Sequence, residues 1–202
     1  AARAVIVLPE IFGLNGWVRG VADRLSAAGV PALAMPLFAR TAPELALGYD
    51  PEATREGRRH KEATKTEEIL ADVQASIDWL REALGTGDQP LRITVVGFCF
   101  GGHAALLAAT LADVHVSFDF YGAGVSRGRP GGGAPSLELL PSVKGTLHCL
   151  CGKIDPLIPS PDQQIIQTAL REVDPTGLRL RYSAFEGADH GFMCEARDQY
   201  HQ

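Results

Sequence analysis

The chain has 202 residues, a formal net charge of −5 and 46% hydrophobic residues. That length suits a single domain over residues 1–202 with a substantial core. The acidic balance excludes a general nucleic-acid binder, no apolar run approaches a membrane span, and four cysteines are too few for a disulfide scaffold.

Residues 4–8 form an apolar run that stops at Pro9, which fits a buried parallel strand. Trp17, Val18, Val21, Ala22 and Leu25 recur at helical spacing, with Asn15 as N-cap and Gly29 as the stop. A second strand is expected over 30–35 and a loop over 36–51. Residues 52–84 read as one mostly helical stretch. Its first part is polar (Arg55, Arg58, Arg59, His60, Lys61, Glu62), and its second is amphipathic through Ile69, Val73, Ile77 and Leu80. Gly85-Thr86-Gly87-Asp88 closes it. A strand over 91–96, a glycine-bracketed turn and an apolar helix over 104–109 follow. Further strands are expected over 114–120, 146–150 and 178–183, and a helix over 161–172. Residues 127–135 read as a flexible surface loop without assignable chemistry.

Strands alternating with helices predict a mostly parallel, doubly wound sheet with helices on both faces. Ligands bind beyond the carboxyl ends of such strands. Glu10, Cys99, Tyr121, Asp155 and His190 all follow strand runs, which places them along one edge.

The turn Gly97-Phe98-Cys99-Phe100-Gly101-Gly102 has the build of a nucleophile elbow with cysteine where serine is usual. Its central residue is held in a strained conformation, so flanking side chains would collide and glycine fits. The following helix points its N-terminus at the sulfur, favouring thiolate and oxyanion. A cysteine nucleophile needs a base, and the base needs an orienting acid. His190 and Asp155 supply them in the chain order nucleophile, acid, histidine. Asp189 is a weaker rival acid, because adjacency to His190 places it badly for the ring. His60 reads as lying on a solvated helical face, His103 as packing inside the elbow helix, and His115 and His148 as satisfied buried strand residues. Cys149 and Cys151 alternate onto one face of a strand and read as small core residues. No zinc-ligand spacing appears, so neither metal nor cofactor is expected.

Four segments in order, Pro9-Glu10-Ile11-Phe12-Gly13-Leu14-Asn15, the cysteine elbow, Gly152-Lys153-Ile154-Asp155-Pro156-Leu157-Ile158-Pro159 and Gly187-Ala188-Asp189-His190-Gly191-Phe192, resemble dienelactone hydrolase, an α/β-hydrolase family. The resemblance implies a Cys99–His190–Asp155 triad, with Glu10 contacting the thiol and helping to generate thiolate. It implies an oxyanion hole from the backbone N–H groups of Ile11 and Phe100, and a pocket lined by Phe12 and Tyr121. Two departures stand out. Cys194 occupies the place of the arginine that grips the substrate carboxylate, with Arg197 further on, and Gly191 replaces the common serine. Arg55, Arg58 or Arg59 are the candidates for a second carboxylate-binding arginine. Strands before the first strand and a helix after the histidine loop, both usual in the family, look short.

The expected substrate is a small lactone or activated ester, opened through a thioester by a cytoplasmic monomer or weak homodimer that contacts neither nucleic acid nor membrane. The alternatives are a broad carboxylesterase or thioesterase with the same triad, and a non-catalytic ligand-binding or redox-sensing member of the fold.

Overall fold

The computed structural model describes residues 2–85 and 90–201. Thr86, Gly87 and Asp88 of the expected helix closure lie outside those residues. The elements are β1 (Ala2–Leu8), α1 (Gly16–Ala27), β2 (Ala32–Ala34), α2 (Pro51–Ala63), α3 (Thr66–Ala83), β3 (Leu91–Phe98), α4 (Phe100–Ala108), β4 (Val114–Phe120), β5 (Thr146–Gly152), α5 (Ser160–Val173) and β6 (Leu180–Phe185), with a 3₁₀ turn over Ser136–Ser142. The strands form one six-stranded sheet in the order β2-β1-β3-β4-β5-β6, and every pairing is parallel. The chain reverses direction across the sheet between β1 and β3. Such a switch point opens a crevice at the strand ends.

Alternation decides which helix each strand residue meets. Phe98 packs edge-on against Trp17 of α1 at 4.7 Å, while Ser117 donates to the Ala105 carbonyl of α4 at 2.6 Å on the opposite face. Helices therefore cover both faces. All nine residues of α4 are buried, which explains why its sequence is apolar all round.

The expected helix over 52–84 is two helices. Thr64 turns extended (ψ 140°), its hydroxyl donates to the His60 carbonyl at 2.8 Å, and Glu68 takes the Lys65 N–H at 3.1 Å. The placement of His60 on a solvated face is also corrected. Helix α2 buries only a narrow stripe, Ala53, Gly57 and His60. The buried imidazole meets Thr41 Oγ1 and Glu56 Oε1, each at 2.9 Å. A polar helix can hide one histidine when its two ring nitrogens are both partnered. His115 is exposed rather than buried, beside the Ile93 backbone N–H at 3.3 Å, and His148 is half-buried against Ser183 Oγ at 2.8 Å. Strand β6 starts two residues later than expected. The Asp174 carboxylate captures the N–H groups of Arg179 and Leu180 at 2.7 and 2.9 Å, and so holds the preceding residues in a turn.

Candidate active site

The elbow is as strained as its glycines suggest. Cys99 sits at φ 55°, ψ −117°, and its N–H donates to the Phe120 carbonyl at 3.0 Å. A Cβ on Gly97 would lie 1.8 Å from the Gly101 carbonyl oxygen, and one on Gly101 would lie 2.4 Å from that of Leu8. The second approach draws the loop after β1 against the start of α4. The Ile11 and Phe100 N–H groups, which the backbone network of the described residues leaves unspent, thus border the same cavity as Cys99.

His190 and Asp155 meet through another close approach. A Cβ on Gly152 would lie 2.2 Å from the Ala188 carbonyl oxygen, so the end of β5 presses on the histidine loop. Asp155 Oδ1 takes the N–H groups of Leu157 and Ile158 at 2.7 and 3.3 Å, and Oδ2 takes the His190 Nδ1 proton at 2.8 Å. Asp189 is spent on the His190 backbone N–H at 2.5 Å. The bond to Asp155 assigns the proton to Nδ1 and leaves Nε2 buried without a hydrogen-bond partner. Burial pulls the His190 pKa down, but the charge of a Cys99 thiolate and the bond to Asp155 outweigh it and push the value up to about 10.

Glu10 is 1% exposed and pairs with Arg197, Nη1 to Oε1 at 3.0 Å, while its Oε2 has no partner. Burial pushes the Glu10 carboxyl up, with the charges of Arg197 and His190 opposing. The two departures from the family pattern belong to this contact. A Cβ at residue 191 would sit 2.6 Å from Arg197 Nη1, so Gly191 (φ 90°) leaves the space through which the guanidinium crosses. Cys194 is buried with its Sγ 3.2 Å from the Tyr49 hydroxyl, and Arg197 lies 5.7 and 5.8 Å from the ring centres of Tyr49 and Phe12. Arg197 thus delivers a cation to the site from three residues beyond the position that lacks one.

The cavity above Cys99 has a volume of about 460 Å³. Ile11, Phe12, Phe100 and His190 line it as expected, and so do Arg58 and Arg197. Arg55 and Arg59 do not; they line a separate groove on the other side of α2, where Arg59 pairs with Glu56 at 2.6 Å. Helical spacing explains the split, since Thr54, Arg58, Lys61 and Glu62 share one face. Gly57 lets that face descend, because its Cβ would lie 2.3 Å from the Ile11 carbonyl oxygen. Tyr121 is also corrected. It is fully buried behind the cavity at φ 43°, with its ring 5.1 Å from that of His190, and so it supports the base rather than lining the pocket. Sequence reading missed Arg127 and Leu157, which also line the cavity. Arg127 carries no local motif, and Leu157 lies in the Asp155 segment, where the aspartate drew the attention.

Among the described residues no group of three or more His, Cys, Asp or Glu could hold a metal ion, and no helix is long and apolar enough to cross a membrane. A thiol, a base with a fixed tautomer and two residues whose N–H groups are unspent thus line one cavity. The dienelactone hydrolase family matches residues 1–202. A Synechocystis sp. protein provisionally named a carboxymethylenebutenolidase is 37% identical over 196 residues, covering 97% of this chain and 78% of the relative. Carboxymethylenebutenolidase of Pseudomonas putida is 30% identical over 204 residues, covering 98% of this chain and 78% of its own. A Klebsiella pneumoniae crystal structure, provisionally named a dienelactone hydrolase, superposes with a TM-score of 0.82 at 25% identity over 98% of this chain and 80% of its own. The chain therefore belongs to the dienelactone hydrolase family of α/β-hydrolases and is a carboxylic-ester hydrolase of that kind.

Proposed function

We propose that the protein opens a lactone or activated ester by acyl transfer to Cys99. The observation that carries this is the 2.8 Å bond of His190 Nδ1 to Asp155, which leaves a buried, unpartnered Nε2 beside the cysteine. Thiolate Cys99 attacks the carbonyl, and the N–H groups of Ile11 and Phe100 stabilise the tetrahedral oxyanion. The C–O bond breaks, the departing oxygen takes from His190 Nε2 the proton that the Cys99 thiol gave up, and a thioester remains. Water then gives a proton to His190 and attacks the thioester; collapse returns the proton to the sulfur and releases the acid. A thiolate leaves as readily as it attacks, which suits an enol ester or lactone better than an amide.

Glu10 completes the reading. A substrate carboxylate entering the cavity competes for Arg197, and Arg58 stands on the opposite wall. Stripped of its partner, buried Glu10 is driven to take a proton; it takes the one on the Cys99 thiol, which makes the nucleophile, and passes it to His190 Nε2, so that Glu10 is ionised again before the leaving oxygen needs that proton. The name of the Pseudomonas putida relative describes a butenolide with a carboxylated arm, the shape this device fits. The enzyme acts in the cytoplasm, where reducing conditions keep Cys99 free, as a monomer or weak homodimer.

The test is mass spectrometry during turnover of a carboxylated enol lactone. The acyl mass should appear on the peptide holding Cys99, and Cys99→Ala should abolish both adduct and hydrolysis. Retained hydrolysis in that variant sinks the mechanism. A broad esterase is the second reading, favoured by the apolar walls of Ile11, Phe12, Phe100 and Leu157. Neutral aryl esters turning over as fast as carboxylated lactones would select it.

A further inference from the structure

The cavity above Cys99 does not end at its own walls. A second cavity of about 350 Å³ adjoins it, bordered by the same Lys61, Glu62, Phe100, Ala123, Gly124 and Arg127 and extended by His103, Arg129 and residues 128–131. Its far wall belongs to the loop that sequence reading left as flexible and without chemistry. That loop is pinned. The Pro130 carbonyl accepts from both the N–H and the hydroxyl of Thr66 at 2.9 Å, and Arg127 pairs with Asp162. Buried His103 clamps both flanks, with Nδ1 donating to the Ala123 carbonyl at 3.1 Å and Nε2 accepting from the Ser136 hydroxyl at 2.7 Å. Burial drops the His103 pKa to about 4, so the clamp stays neutral and structural.

The charge on this continuous cleft is opposite to that of the chain. Arg58, Lys61, Arg127, Arg129 and Arg197 border it against one lining carboxylate, Glu62, in a protein of net charge −5. Arg58 and Lys61 have no carboxylate partner among the described residues. Arg129 is held only loosely, 3.9 Å from Glu138, and its Nε is buried without a hydrogen-bond partner. A guanidinium so loosely paired on the wall of a preformed cavity is open to a carboxylate acceptor there.

We propose that this second cavity is a subsite for a carboxylate on a long arm of the substrate, remote from the scissile carbonyl. Lys61 guides the arm and Arg129 grips its end. This rests on the acyl-transfer reading of Cys99, and it enlarges the substrate class from compact lactones to esters or lactones with an extended acidic chain.

The test compares matched aryl esters. Monophenyl suberate against phenyl octanoate probes the acyl arm. A phenyl acetate bearing a carboxypentyl chain against the same ester bearing a hexyl chain probes the alcohol arm. One pair should show a kcat/KM preference for the carboxylate of about tenfold to a hundredfold, the range of one charge-assisted hydrogen bond. Arg129→Gln should collapse that ratio, mainly through KM, while Arg129→Lys keeps part of it. Because the readout is a ratio, partial misfolding does not imitate the effect. No preference in either pair, or a preference that survives Arg129→Gln, overturns the subsite. Loss of turnover of all these esters in Cys99→Ala would at the same time leave the acyl-transfer reading standing, so the two failures are distinguishable.

Discussion

Arg197→Met should destabilise the fold through Glu10, and the loss should depend on pH. The wild-type pair is 3.0 Å apart, with side-chain exposures of 17% for Arg197 and 1% for Glu10. Two unit charges at about 4 Å interact by roughly 4 kcal/mol at an effective dielectric of about 20. Breaking a buried pair by removing one member costs about 3–5 kcal/mol, because the other charge is stranded. Two features reduce this here. Arg197 keeps some solvent contact, and Glu10 can escape by taking a proton. The expected loss is therefore about 2–4 kcal/mol at neutral pH, or roughly 5–10 °C in Tm for a chain of this size.

The sign with pH follows from the direction of the Glu10 shift, upward through burial. A carboxyl whose folded pKa is raised holds a proton that the unfolded chain has released. Stability therefore falls as pH rises from the ordinary glutamate value through the folded one. Removing Arg197 raises the folded value further, so the deficit should be small near pH 4 and largest near pH 8. The assay is urea unfolding of wild type, Arg197→Met, Glu10→Gln and the double variant across that range. A coupling of about 2 kcal/mol or more is expected at pH 8, with the double variant more stable than Arg197→Met. A coupling below about 0.5 kcal/mol, or a deficit that is flat with pH, would refute the idea that Arg197 stabilises a charged Glu10.

Three further outcomes are expected. Asp119 is fully enclosed and burial lifts its pKa to about 7, so Asp119→Asn should be more stable than wild type at pH 8 and lose that advantage toward pH 4, measured by urea unfolding. The His190 pKa is raised to about 10, so its charged form stabilises the fold most below about pH 6.5; the stability gap between wild type and His190→Gln should shrink as pH climbs to 10. Gly101→Ala puts a Cβ 2.4 Å from the Leu8 carbonyl oxygen, so the Glu10–Ile11 loop must move; kcat/KM on phenyl acetate should fall roughly a hundredfold, the scale of losing one oxyanion donor.

The legible parts of this protein are those whose signal is local. Strands buried on both faces read as apolar runs, and an elbow announces itself because two glycines must flank one strained residue. Helix α2 shows where that ends. Its buried stripe is one alanine, one glycine and one histidine, too little apolar surface to separate from a solvated face, so His60 was misplaced and Arg58 could not be told from Arg55 and Arg59. The family resemblance implies a pocket role for Tyr121, yet its positive φ turns the ring behind the base. Arg197 is the harder case. Gly191 and Cys194 look in sequence like two independent losses, one of a serine and one of a carboxylate grip. Folded, they are a single exchange. The missing Cβ at 191 opens the path, the thiol at 194 packs under Tyr49, and the guanidinium that crosses between them reaches Glu10 from a residue that no linear spacing singles out.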